Sequence, residues 1–244
     1  MRVKYSLVTL SIVMAVWWIL TKKYSSLVIP TIDSVFFKII ELLTTKEMVL
    51  EILLTLKRLL FALFFGSLSG FIVGFFCGVN TLFRKLMKPV ISILQVTPPI
   101  ALLIMAIMWF GFSGKPAIFI STLAIFPTLV ISVQEGILNI DNKLIQMGKT
   151  FSLSKISVLK NIIIPSLSPH ITTGWKISLG VACKTLVMGE VLTTTTGIGG
   201  NLSNARMNLE PEGVLAWTII TIILFYFIDW FVKILIIRKK EKYA

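Results

Sequence analysis

The chain has 244 residues, 56% of them hydrophobic and only 14% charged, with a mean hydropathy of +0.91. Soluble domains carry about 25% charged residues, so a water-soluble globule is excluded. Lys and Arg number 24 against 11 acidic residues, for a net charge of +13, but the basic residues sit in short clusters between apolar runs. That is the pattern of a membrane protein with basic loops, not of a nucleic-acid binder.

A membrane-crossing helix needs about 20 mostly apolar residues, and six such spans are predicted, at about 5–21, 57–79, 90–110, 116–135, 167–191 and 214–237. The first is followed by Lys22 and Lys23 with no small-residue cleavage site, so it reads as an uncleaved anchor with Trp17 and Trp18 at the interface. In the connection 30–56, Pro30 and Asp33 open a stretch where Val35, Phe36, Ile39, Ile40 and Leu43 recur at helical spacing. This predicts a helix lying on the outer leaflet.

The second span carries Gly66, Gly70, Gly74 and Gly78 at i+4 spacing. Residues four apart share a helix face, so the stripe predicts close packing against another helix. The third span is expected to begin after Pro89 and to kink at Thr97-Pro98-Pro99, and Pro127 bends the fourth. The cysteines, Cys77 and Cys183, lie inside apolar runs, which argues against a disulfide framework.

The connection 136–166 is long and amphipathic. Asp141 caps a helix on which Leu144, Met147 and Phe151 share a face, and a second stretch after Ser152 and Ser154 aligns Ile156, Leu159 and Ile163 before Pro165 ends it. The ridge either folds back on the bundle or is covered by another protein. The fifth span contains Lys176, Lys184 and Glu190, and the sixth an i, i+4 pair, Asp229 and Lys233, expected to form a local ion pair. Lys184 and Glu190 are six residues apart and do not share a face, so each needs its own partner. Both are candidates for a pathway or gate, with Glu190 at the outer end of its span before a loop at 193–200.

Orientation follows from the basic residues. With the N-terminus inside, the inner segments hold fourteen: Arg2, Lys4, Arg84, Lys85, Lys88, Lys143, Lys149, Lys155, Lys160, Lys233, Arg238, Lys239, Lys240 and Lys242. The outer segments hold six: Lys22, Lys23, Lys38, Lys46, Lys115 and Arg206. Both termini are therefore expected in the cytoplasm. No repeat or low-complexity tract divides the chain. The expectation is one all-α membrane domain over 1–244, with an N-terminal segment at 1–56 and a core unit at 57–237.

No G-x-x-x-x-G-K-[ST] is present to cradle a nucleotide, and one histidine, His170, cannot make a zinc site. No cofactor, metal or catalytic residue is expected.

The 141–165 segment resembles the signature of permease subunits of bacterial ABC importers: Glu-Ala-Ala, three residues, Gly, about nine residues, then Ile-x-Leu-Pro. Here Ile162-Ile-Ile-Pro165 and Ser166-Leu-Ser-Pro169 match its end. Gln146-Met147-Gly148 stands where Glu-Ala-Ala is usual, and Ser152 where the turn glycine is usual. Thr97-Pro98-Pro99-Ile-Ala101, Trp109-Phe-Gly111, Phe126-Pro127, Gly189-Glu190-Val191-Leu192, Gly197-Ile-Gly199 and Ala216-Trp217-Thr218 resemble the nitrate, sulfonate and taurine branch, with Cys183 where that branch usually has tryptophan.

The resemblance covers about 50–235. It implies a six-span permease of the type I importer kind, in the bacterial cytoplasmic membrane. It implies pairing with a second permease copy or paralogue, two cytoplasmic ABC ATPases, and an extracytoplasmic substrate-binding protein. The ATPases would dock on a coupling loop comprising Leu144, Gln146, Met147, Gly148, Lys149, Thr150, Phe151, Ser152, Ser154 and Pro165. A stand-alone secondary transporter using Glu190 as a proton-linked acid is the alternative, and a structural or assembly protein a third; the missing inverted repeat counts against the former.

Overall fold

The computed structural model of the chain describes residues 2–241, except the side chains of 2–4, 6, 7, 10, 142, 149, 155 and 233–241. Among the described residues every regular element is helical: α1 (Arg2–Lys23), α2 (Ile32–Thr44), α3 (Lys46–Val79), α4 (Thr81–Val96), α5 (Pro99–Phe110), α6 (Gly114–Leu138), α7 (Asn142–Thr150), α8 (Lys155–Val158), a π-turn (Leu159–Ile163), α9 (Ile164–Thr193), α10 (Gly197–Met207) and α11 (Pro211–Glu241).

Among the described residues, three helices are each long and apolar enough to cross a membrane: Lys46–Val79, Gly114–Leu138 and Pro211–Val232 within α11. Two bent pairs pass together, α4 with α5 across a 94° bend and Ile156–Thr193 with α10 across 54°. Neither bend matches a simple kinked span. Helix α4 starts at Thr81, with Pro89 inside it, and it stops at Val96. Thr97 and Pro98 both take extended backbone (ψ 123° and 128°), because a residue before proline is pushed out of the helical region and here two prolines follow in succession.

Helix α6 is the axle of the bundle, with α3 packed on one side and α9 on the other. Small residues permit both contacts. A Cβ on Gly70 would lie 2.8 Å from the Cβ of Leu129, and one on Gly74 2.8 Å from the carbonyl of Val130. Gly66 and Gly78 face Ile125 and Ile137 of the same helix. On the α9 side, Gly174 meets Ser132 and Gly189 meets Ala117. Leu59, Leu63, Ile125, Leu179 and Leu186 fill the main core between these helices.

Residues 46–56 belong to α3 and not to a surface helix, so the core unit starts earlier than the expected residue 57. Helix α2, capped by Thr31, turns Leu42 toward Ile198, Ala216, Trp217 and Ile220 of α10 and α11, while Phe36, Phe37, Ile40 and Leu43 stay exposed. The expected Asp229–Lys233 pair falls at a side chain, that of Lys233, outside the described residues.

Candidate functional site

At the end of the bundle remote from the 142–164 segment, three helices meet around a buried charge. Glu190 of α9 is 0% exposed. Its carboxylate accepts from Arg58 Nη1 at 2.6 Å, from Thr55 Oγ1 at 2.9 Å and from the backbone N–H of Gly199 at 3.0 Å. Arg58 also donates to the Thr196 carbonyl (3.1 Å) and Thr196 Oγ1 (2.8 Å). The guanidinium is nearly as buried as its partner.

This cluster explains how α10 begins. A helix leaves its first N–H groups without intrahelical partners, and the residue before α10, Thr196, offers no side-chain cap. Other helices cap it instead. Gly197 N–H donates to Glu51, Ile198 N–H to Thr55 Oγ1 (2.8 Å), and Gly199 N–H to Glu190. Two carboxylates at a helix N-terminus also oppose its positive dipole end. Gly197 sits at φ +83°, and a Cβ there would lie 2.6 Å from Glu190 Oε1 and 2.7 Å from Thr55 Oγ1, so only glycine fits. The expected loop at 193–200 is thus Thr194–Thr196 alone, and the glycines after it open a helix.

Glu51, Thr55 and Arg58 are members of this cluster that the sequence reading misses. They lie at i, i+4 and i+7 on α3, one face of a helix, a polar stripe that becomes legible once 46–56 is read as part of the span.

Lys184, the other ionisable candidate, behaves oppositely. It is exposed on α9 and makes no hydrogen bond or ion pair among the described residues. The structure does not bring it together with Glu190. Along the same side of α9, toward the 142–164 end, Thr173 and Ile177 border a cavity of about 400 Å³ that is also lined by Gln95, Thr128, Ser132, Glu135 and His170. Nothing in the sequence assigns these residues to a common site, because they come from three helices.

At that end, Asp141 Oδ1 accepts from Lys143 N–H (2.8 Å) and starts α7. Leu144, Met147 and Phe151 are 38%, 48% and 71% exposed, and Gln146 and Thr150 are exposed beside them. The side chain of Lys149 lies outside the described residues. Gly148 is buried, and a Cβ there would lie 3.2 Å from Ile162 and Val158, so α7 closes tightly on the second helical piece. Ser152 takes φ +52°, a left-handed conformation that glycine adopts more cheaply. Ser154 Oγ accepts from Ser157 N–H (3.2 Å) and starts α8.

Pro165 does not end this segment; it lies in the first turn of α9. The π-turn makes room for it. Ile164 N–H bonds Leu159 O, five residues back, and the wider turn eases the clash a proline ring makes with the carbonyl four residues earlier. Helix α8 therefore runs into α9 without a break, while the turn at 151–154 separates it from α7.

Comparison with known proteins agrees with this architecture. The family model described as "Binding-protein-dependent transport system inner membrane component" matches residues 47–241. The taurine transport system permease protein TauC of Escherichia coli (strain K12) is 28% identical over 235 residues, covering 93% of this chain and 86% of the relative. The putative aliphatic sulfonates transport permease protein SsuC of Bacillus subtilis (strain 168) is 25% identical, covering 92% and 82%. The nitrate import permease protein NrtB of Synechococcus elongatus is 30% identical over 156 residues, 64% of this chain and 56% of the relative. Among solved structures, a chain of the MetNI methionine ABC transporter in an inward-facing conformation superposes with a TM-score of 0.61 at 16% identity, over 79% of this chain and 99% of that one, a likeness of fold.

Proposed function

The chain belongs to the binding-protein-dependent transport system inner membrane components, and on that premise we propose how its regions divide the work of an ATP-driven importer. It is the membrane-spanning permease subunit of an ABC importer. The observation that carries this is the family match across 47–241, joined to relatives that are permeases over most of their length. The solute is small and polar, of the kind the relatives' names give: a sulfonate such as taurine, or nitrate.

In our reading α1, α3, the bent pair α4–α5, α6, α9 with re-entrant α10, and α11 make six crossings, with both termini and the 142–164 segment in the cytoplasm. The excess of basic residues on that side supports this orientation. Two ATPase subunits hydrolyse ATP, one docking on this chain's Leu144–Phe151 ridge, whose exposure supports a partner there. Because α7 packs on Val158 and Ile162 at Gly148 and the π-turn continues that second piece into α9, ATPase movement passes to the spans as rigid-body rotation. A second permease completes the pathway, and an external binding protein delivers solute.

A proton-linked role for Glu190 in a stand-alone carrier is disfavoured by its partners. Arg58, Thr55 and Gly199 N–H occupy its oxygens. The test is to express the chain with its candidate ATPase and binding protein, purify from membranes and reconstitute in liposomes. Co-purification of the ATPase and uptake that requires ATP and binding protein are expected. Uptake by this chain alone, driven by a proton gradient, would overturn the reading. Since Cys77 and Cys183 are buried, Ser154→Cys also reports orientation: it should react with impermeant thiol reagents only from the cytoplasmic side.

A further inference from the structure

We propose that the uncovered side of α9 lines the solute path and that Lys184 is the residue that holds the solute's negative group within the membrane. The proposal rests on the permease reading above and adds a specificity-determining residue to it.

Helix α9 has three sides. One, through Gly174 and Gly189, is pressed onto α6. A second, through Leu179 and Leu186, is in the main core. The third, carrying Thr173, Ile177 and Lys184, is exposed. Lys184 lies nine residues before the end of α9 at Thr193 and twenty after its start at Ile164, or about 14 Å and 30 Å of helix at 1.5 Å per residue. That places it within the helix and away from both of its ends. An unpaired ammonium at that position does not face hydrocarbon; it faces water, an anion or a partner charge.

Lys184 forms no ion pair among the described residues. Glu190, the other ionisable candidate of α9, is taken by Arg58. From Phe61 onward the uncovered side of α3 is apolar, lined by Phe61, Phe64, Leu68, Phe71 and Phe76, with the exposed Lys57 one turn before them. The α9 side continues into the cavity, whose lining mixes polar groups with Ile131, Pro169 and Ile177; Ile177 is about 10 Å from Lys184 along the helix.

Charge is arranged asymmetrically along this side. Solute arriving from outside meets Lys184 first and then the cavity, whose cytoplasmic-end lining includes the exposed carboxylate of Glu135. A fixed positive charge draws an anionic group into the span, as charged side chains do in pores. A carboxylate further along repels it toward release. Lys184 thus selects charge, while the polar hydroxyl and amide groups of Thr173, Thr128, Ser132 and Gln95 accept the solute's remaining polar surface.

The test reads the potential in the path without needing the solute. In membrane vesicles carrying the complete importer, with Cys77 and Cys183 replaced by Ser, Ile177→Cys is reacted with two impermeant methanethiosulfonates, one sulfonatoethyl and one trimethylammonioethyl. The thiol should react with both, and faster with the anionic reagent. Adding Lys184→Gln should lower the anionic-to-cationic rate ratio about tenfold or more, the effect of one unit charge at about 10 Å in a partly screened medium. Lys184→Arg should preserve the ratio, and Lys184→Met should repeat the Gln result. ATPase retention in each variant confirms an assembled complex.

An Ile177→Cys thiol unreactive to both reagents in vesicles that still perform ATP-driven uptake would put this side of α9 against lipid or another chain and overturn the proposal. So would a rate ratio indifferent to Lys184. Vesicles whose unmodified importer shows no ATP-driven uptake would instead contradict the permease reading, whatever the labelling shows.

Discussion

The two ends of the bundle solve opposite problems. At one end, the polar groups are satisfied within the chain: Glu190, Arg58, Thr55 and Glu51 close on each other and on the first three N–H groups of α10. At the other, an apolar ridge of Leu144, Met147 and Phe151 is left uncovered by the same chain. One end is finished by folding, and in our proposal the other is finished by a partner. Substitutions at the first should therefore register in the stability of this subunit, and substitutions at the second in what it holds.

The largest effect is expected where a buried charge loses its only counter-charge. Arg58→Ala leaves Glu190 buried and unpaired, and breaking such a pair costs about 3–5 kcal/mol. Thermal unfolding of the detergent-solubilised subunit should show this loss. Arg58→Met combined with Glu190→Gln should be far less damaging than the two single costs added together, because the remaining groups no longer include a lone charge. Additive losses would mean that the two side chains do not act as a pair.

Next comes the contact between α3 and α6. Gly74→Leu drives a side chain into the Val130 carbonyl and Val133, and overpacking of this kind costs about 1–3 kcal/mol. Expression and melting temperature should both fall. An unchanged melting temperature would mean that these helices do not pack as closely as their glycines allow. At the far end of the scale, Ser152→Gly should relieve the left-handed turn at φ +52° and gain up to about 1 kcal/mol, with ATPase retention unaltered. A loss of stability would show that the serine hydroxyl, not the turn, governs this position.

How far the sequence leads depends on the range of the interaction. Long apolar runs over 57–79, 116–135 and 214–237 are local features, and helices α3, α6 and α11 contain them. The i+4 glycines are equally local, and the structure sets them against α6. Thr97-Pro98-Pro99 announces a disturbance, but one proline kinks a helix whereas two in succession hold two residues extended, and only the structure gives the resulting 94°. Glu190 visibly needs a partner. That the partner is Arg58, 132 residues earlier, is a long-range fact with no local trace, and reading 46–56 as lying outside the second span hides it further. The cavity beside α9 draws residues from α4, α6 and α9 and is legible only in three dimensions. Ser152 is the reverse case: its place at a turn position where similar permeases carry glycine marks it before its backbone angle is seen.

The central claim, that one end is closed by the chain and the other is left for an ATPase, is tested most directly by comparing Phe151→Asp with Arg58→Ala in the same purification. For each variant, the melting temperature of the solubilised subunit and the amount of ATPase retained per subunit are measured. Phe151 is 71% exposed, so its replacement should leave the subunit's stability within about 0.5 kcal/mol. It should also abolish ATPase retention, because the partner loses an apolar side chain whose burial contributes about 1.5–3 kcal/mol and meets a carboxylate instead. Arg58→Ala should do the opposite, lowering the melting temperature while surviving molecules keep their ATPase. If Phe151→Asp destabilises the subunit and the folded fraction still retains ATPase in full, the ridge belongs to this chain's own core and the account is contradicted.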